Sequence, residues 1–403
     1  MMKYGKHHHS GDPAYNNPHA DRFAGQQQKH PNGYTRIAFV MQGGGGLGAY
    51  QFGVLKGLLG AGYEPDWIAA TSIGAIQAAI LVGNKAEDRV AKLAEFWDRI
   101  STYSLFDSMG YEQATTDLYN KMSTNSSLSF GQPDFFYPRW LSPYLQMTGT
   151  PNTLSFYDTS PLRDTLLELI DFDRLNASMT RLSLGAVQID TGHLIYFNNI
   201  NYLISPEHIM ASAALPPGFP AVAIDGHYYW DGGLHSNSPI EVILGTRPAV
   251  DTLCFVIDCF GGVPFVPANM PGVDERSKDI SYSTHARHVI KGYLHSQQLQ
   301  HKLQNLGRHL SVEHQDELNH MLQEELPCHL TLAHICFSSR IHRSASKDYD
   351  FSQVTTKKRI RVGCRDAEMV LAESEKWDKP STNEAFRLYE APNNLISYLR
   401  EDD

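Results

Sequence analysis

Four consecutive glycines, Gly43–Gly46, close a short apolar run, Ile37–Met41, and open a helical pattern that extends from Leu47 to about Leu59. Few folds can use such a run. Adjacent glycines leave peptide N–H groups uncrowded and permit positive φ. At a helix N-terminus those donors form a concavity for negative charge. The organisation then repeats: Trp67–Thr71 is a second apolar run that turns abruptly, at Ser72, into a helix from about Gly74 to Val82. Strand, tight turn and helix, twice over, predict a parallel sheet covered by helices. Glu87–Ile100 adds a helix with Val90, Leu93, Ala94 and Trp97 on one face. Further strands are expected at Leu182–Ile189, His193–Phe197 and Thr252–Cys259.

The glycine loop has two chemical uses, to hold a phosphate or to stabilise an oxyanion. A phosphate loop needs a Lys-Ser/Thr pair after its last glycine, whereas this loop continues Leu47-Gly48-Ala49-Tyr50. A dinucleotide site needs an acidic residue after the next strand, where the chain instead leads into Ser72. Nucleotide binding is therefore excluded. In Ala70-Thr71-Ser72-Ile73-Gly74-Ala75 a serine sits on a strand-to-helix turn, which points its hydroxyl out of the sheet into the field of the helix dipole. A lone serine at a helix N-cap is more often structural. Paired with a glycine loop on a neighbouring strand end, it reads as a nucleophile beside its oxyanion hole.

A third segment, Asp231-Gly232-Gly233-Leu234-His235-Ser236-Asn237-Ser238-Pro239, follows the aromatic run Tyr228-Tyr229-Trp230. An aspartate in such a turn can act as general base to a serine hydroxyl. By itself an Asp-Gly pair is more often a plain turn, as expected for Asp225-Gly226 just upstream, the hairpin leading into Asp231.

Composition bounds the rest. The 403 residues are 42% apolar and 19% charged, with a formal net charge of −10. That is ordinary globular material, and it argues against a nucleic-acid partner, which needs a basic field. The five cysteines (Cys254, Cys259, Cys328, Cys336, Cys364) contain no CxxC pair, so they read as reduced thiols rather than a zinc or disulfide framework. No HExxH pattern occurs, and His7, His8 and His9 lie in a polar leader. No cofactor or metal is expected. With no charged-then-apolar leader and no long apolar span, the chain reads as cytoplasmic, without signal peptide or transmembrane segment. Peripheral membrane contact stays open, since a local basic face acts within about 8 Å.

Residues 1–33, poor in aliphatics, are expected to be a flexible tail; 34–262 a catalytic domain; and 263–403, after the Pro-rich stretch from Pro264 to Pro271, a mainly helical C-terminal extension. Within the catalytic domain, periodicity fails over 101–156, an insertion crowded with Tyr103, Phe106, Tyr111, Tyr119, Phe130, Phe135, Phe136, Tyr137, Trp140 and Tyr144. It reads either as a cap or as a packed surface excursion. Leu299, Leu303, Leu306 and Leu310 predict an amphipathic helix, and residues 285–310 carry Arg287, Lys291, Lys302 and Arg308 with no acidic side chain. Such a helix either packs its leucines onto the domain or lies on an anionic membrane.

Taken together, Gly43–Gly48, Thr71–Ala75 and Asp231–Pro239 resemble the glycine loop, serine elbow and D-G-G motif of the patatin-like phospholipases. Ala211-Ser212-Ala213-Ala214-Leu215-Pro216 with Phe219-Pro220 resembles the segment preceding the aspartate there. Lys278-Asp279-Ile280 and Ser346-Lys347-Asp348-Tyr349-Asp350-Phe351 are similar to the C-terminal extension of one bacterial branch. The resemblance implies a three-layer α/β/α fold with a mostly parallel central sheet. It also implies a lipid acyl hydrolase with a Ser72–Asp231 dyad, oxyanion donors at Gly44, Gly45 and Gly46, and a lipid ester as substrate. Two departures stand out. Leu47 occupies a position where the family usually has Arg or Lys for phosphate, and Ala70 replaces the first elbow glycine. Two other readings remain at this point: an esterase with a Ser-His-Asp triad, for which His235 is the nearest histidine, and a catalytically silent binding protein.

Overall fold

The computed structural model describes residues 30–102, 116–145, 149–245, 250–260, 265–307, 314, 329–337, 347–379 and 386–390. Eleven strands are β1 (Arg36–Met41), β2 (Trp67–Ala70), β3 (Tyr137–Pro138), β4 (Tyr157–Asp158), β5 (Arg181–Gln188), β6 (Leu194–Asn198), β7 (Val222–Ile224), β8 (His227–Asp231), β9 (Thr252–Asp258), β10 (Leu330–Cys336) and β11 (Phe386–Glu390). Ten longer helices are α1 (Gly48–Gly60), α2 (Ile73–Val82), α3 (Arg89–Arg99), α4 (Thr116–Phe130), α5 (Ser160–Leu169), α6 (Phe172–Ala177), α7 (Pro206–Ser212), α8 (Ile240–Leu244), α9 (Met270–Gly307) and α10 (Gln353–Leu371).

Nine strands form one sheet in the order β11-β10-β9-β1-β2-β5-β8-β7, with β6 branching from β5. From β11 to β5 every pairing is parallel; β6, β7 and β8 are antiparallel. Alternation along β1 sorts its side chains between the two faces. Ile37, Phe39 and Met41 enter a core shared with α1, α2 and α3, while Ala38 and Val40 enter a second core with α8 and Ile290 of α9. The result is three layers, helix on sheet on helix, as expected. Asp225 and Gly226 carry φ of 49° and 83°, the left-handed pair of a tight hairpin between β7 and β8.

Several elements depart from the sequence reading. The stretch without periodicity holds α4, a fifteen-residue helix, and Tyr103, Phe106 and Tyr111 lie outside the described residues. Of the insertion's other aromatics, Phe135 and Phe136 are buried, whereas Phe130, Tyr137, Trp140 and Tyr144 are exposed. The leucine helix is the end of α9, but Leu299, Leu303 and Leu306 are 47%, 46% and 66% exposed rather than packed onto the domain; Leu310 lies outside the described residues.

The chain beyond 263 also supplies β10 and β11, which continue the sheet past β9. Its α10 packs along α1, where Gly53 and Gly363 let the backbones touch. A methyl on Gly53 would lie 2.9 Å from the Cys364 amide nitrogen, closer than any side chain tolerates. Cys254, Cys259 and Cys336 are buried and unbridged; Cys328 lies outside the described residues.

Candidate active site

Register places the chemistry at one edge of the sheet. Met41 pairs with Ala70 and with Ile257, so β1, β2 and β9 end together, and the glycine loop, Ser72 and Phe260 emerge side by side. Across β5, Ala186 pairs with Asp231, which brings the end of β8 to the same edge. There they line a cleft with Phe135, Phe136 and Phe219.

Ser72 has φ 58° and ψ −128°, a conformation that L-residues rarely adopt and that costs about 1–3 kcal/mol. The surroundings hold it there. The Ser72 amide donates to the Ser212 carbonyl at 3.1 Å, and the Ala75 and Ile76 amides donate back to the Ser72 carbonyl at 2.9 and 3.2 Å. Gly74 has no room for a side chain: a methyl would lie 2.6 Å from the Met41 carbonyl. Ala70, by contrast, accommodates its methyl inside the core.

Asp231 is 2% exposed. Its Oδ1 accepts the Gly233 amide at 2.7 Å, while Oδ2 is buried with no hydrogen-bond partner. Burial pushes its carboxyl up to about 7, against smaller opposing pulls from the Ser72 hydroxyl and the Gly233 amide. A carboxylate so poised is neutral or charged according to small changes near neutral pH, which is what a general base requires.

Of the three glycines singled out, Gly44 and Gly45 line the cleft with Gly43, and Gly46 does not. Gly46 faces the other way, where a methyl would meet the Asp350 carbonyl at 2.6 Å and Arg359 Nη1 at 3.0 Å. The amides of Gly44 and Gly45 donate to no acceptor among the described residues. Leu47 is wholly buried in the core. His235 is exposed and does not line the cleft, and among the described residues no histidine does.

The sequence reading missed four contributors. Asn237 fixes the loop, its amide group donating to the Gly43 carbonyl at 3.1 Å while the Gly43 amide donates to its own carbonyl at 3.0 Å. Tyr282 of α9 and the pair Asp348 and Tyr349 form the opposite wall. Only Asn237 had a local signal, its place within the D-G-G segment. The two C-terminal motifs meet across this wall: Lys278 pairs with Asp348 at 3.0 Å, and Lys347 with Asp279 at 2.6 Å.

Asp258, His334 and Cys336 form a buried trio whose donor atoms lie within 4.8 Å of one another, a spacing that a metal could use. Both Asp258 oxygens are already engaged, Oδ1 by the Ser238 hydroxyl and Oδ2 by His334 Nε2, each at 2.8 Å. The trio therefore reads as a brace under the Asp231–Ser238 loop.

Comparison with known proteins agrees with this architecture. A model of the patatin-like phospholipase family matches residues 39–244, just over half of the chain, and a model described as patatin phospholipase matches 280–383. Patatin-like phospholipase domain-containing protein 7 of Rattus norvegicus is 24% identical over 213 residues, 51% of this chain and 12% of that protein. Patatin-like phospholipase domain-containing protein 6 of Homo sapiens is 30% identical over 113 residues, 28% of this chain and 8% of that protein. The matched stretch is thus a small part of these long relatives. Among solved structures, VipD from Legionella pneumophila aligns with a TM-score of 0.37 and 13% identity, covering 86% of this chain and 69% of that one. On the two family models, the chain belongs to the patatin-like phospholipases.

Proposed function

We propose that the chain is a lipid acyl hydrolase that works through a Ser72–Asp231 dyad and a covalent acyl-enzyme. Ser72 Oγ attacks the ester carbonyl while Asp231 takes its proton. The carbonyl oxygen becomes an oxyanion held by the Gly44 and Gly45 amides; losing one such donor costs about 10²–10³ in kcat in known acyl-transfer sites. Collapse expels the alcohol, which leaves with the proton from Asp231. Water then attacks the acyl-enzyme, giving its proton to Asp231, and the acid leaves as Ser72 recovers its hydrogen.

The observation that carries this reading is the unpartnered Oδ2 of buried Asp231, beside a serine held on a strained elbow. The wall of Phe135, Phe136, Phe219 and Phe260 favours an acyl chain over a polar substrate. Contact with a lipid surface belongs to the same reading, supported by exposed Phe130, Trp140, Tyr144 and Leu145 in the same stretch of chain as the cleft-lining Phe135 and Phe136. Ester hydrolysis by Asp231→Asn and His235→Ala tests it. The dyad requires the first to be inactive and the second to keep wild-type activity; a histidine triad instead requires His235→Ala to lose activity as well.

A further inference from the structure

The glycine loop carries no charge of its own, yet a cation stands directly behind it. Arg359, on α10, is 1% exposed. Its Nη1 donates to the Asp350 carbonyl at 2.8 Å and its Nη2 to the Lys347 carbonyl at 2.7 Å, while Nε is buried with no partner. No carboxylate lies within ion-pair distance of it among the described residues. The Asp350 side chain is taken by the Ser123 and Thr355 hydroxyls, at 2.9 Å each, and Asp348 is taken by Lys278. The groups that face its charge are Asp350 and Asp348 from one segment and the Cys259 thiol from the end of β9.

A buried, unpaired guanidinium is costly, and burial works against its charge. Two backbone carbonyls could be held by a neutral side chain at lower cost. What the charge adds is a field at the face of the loop opposite the cleft, in a dry setting where such a field is only weakly screened. Gly46 forms the contact, with room for nothing larger between the loop and Arg359 Nη1. Gly44 and Gly45, which line the cleft and whose amides are the proposed oxyanion donors, precede Gly46 directly.

We propose that Arg359 is a positioning residue for acyl transfer: it clamps residues 347–350 onto the glycine loop, and its buried charge, which is in no ion pair among the described residues and is only partly offset by Asp350 and Asp348, acts through that loop to stabilise the oxyanion. This rests on the acyl-transfer reading above. The field exists in free enzyme and complex alike, but the negative charge exists only after attack, so the effect falls on kcat rather than on KM.

The test compares Arg359→Lys, which keeps the charge and loses the fork, with Arg359→Gln, which loses the charge. The readouts are hydrolysis of a soluble p-nitrophenyl ester and inhibition by a trifluoromethyl ketone, which forms an oxyanion on the serine. The proposal predicts a fall in kcat on the order of tenfold for Arg359→Gln, with KM little changed and a parallel loss of ketone affinity. Arg359→Lys stays near wild type at neutral pH. As pH rises through the lowered pKa of a buried lysine, this variant loses activity while the wild type does not. That profile decides the matter even if Arg359→Gln fails to fold.

A folded Arg359→Gln variant with wild-type kcat and ketone affinity overturns the proposal. So does a lysine variant whose activity shows no such loss, since a purely structural arginine predicts changes in stability alone. Wild-type activity retained in Ser72→Ala would instead overturn the acyl-transfer reading, so the two failures are distinguishable.

Discussion

Asn237 and Gly43 exchange two hydrogen bonds, side-chain amide to carbonyl at 3.1 Å and amide to carbonyl at 3.0 Å, and so tie the loop after β8 to the loop after β1. The proposed oxyanion donors and the carboxylate proposed to take the proton are thereby kept in one frame. Asn237→Ala breaks the side-chain arm and leaves the buried Gly43 carbonyl unpaired, at a cost of about 1–3 kcal/mol in stability. The variant is expected to unfold earlier in urea and to lose on the order of tenfold in kcat/KM, since small misplacements near the reacting atoms are costly. A soluble ester assay beside a denaturation curve reads both.

Asp231 sets opposing pH dependences for activity and stability. In the proposed dyad Asp231 must be ionised, so kcat/KM is expected to rise with pH through about 7. Because its folded pKa is raised above the unfolded value, its contribution to stability is fully present below about pH 4 and lost as pH rises through about 7. At pH 8 the fold must hold a buried carboxylate, at a cost of a few kcal/mol. Asp231→Asn is therefore expected to be inactive yet to melt higher than wild type at pH 8, with the advantage gone at pH 4. Thermal denaturation at the two pH values checks the sign.

The parallel sheet and the dyad segments were legible because local chemistry fixes them. An apolar run that ends in glycines or in Ser72 can only turn out of the sheet, and Asp225-Gly226 can only make a tight hairpin. Asp348, Tyr349 and Tyr282 were not legible as cleft residues, because nothing near them in sequence records that they face Ser72. Their position depends on pairings such as Lys278 with Asp348, 70 residues apart. Strands β10 and β11 were missed because β10 is buried along its whole length and shows no polar alternation, while the five residues of β11 are too few to stand out. The leucines of α9 looked like a core stripe because spacing tells which residues share a face, but not what that face meets.

The two ion pairs of that wall should respond unequally. Lys347 lies with Asp279 and Glu275 where all three side chains are nearly buried. Lys347→Met strands two buried carboxylates and is expected to destabilise by about 3–5 kcal/mol, with much of that recovered when Asp279→Asn and Glu275→Gln are added. Lys278 is more open to solvent, and Lys278→Ala is expected to cost no more than about 1 kcal/mol. Denaturant titrations of the single and combined variants separate the cases.

Trp140 is fully exposed and Trp230 half-buried, whereas Trp67, Trp97 and Trp377 are buried. Binding to phospholipid vesicles is therefore expected to shift its emission to shorter wavelength, and Trp140→Ser should weaken vesicle co-sedimentation while leaving hydrolysis of a soluble ester unchanged. An unchanged spectrum with vesicles present would place the lipid contact elsewhere.

The dyad is tested most directly by treating the folded protein with a fluorophosphonate and mapping the adduct by mass spectrometry. One phosphonyl group on Ser72 is the predicted result, absent from Ser72→Ala and strongly slowed in Asp231→Asn. An adduct on another residue, or undiminished labelling of Ser72→Ala, would contradict Ser72 as the nucleophile.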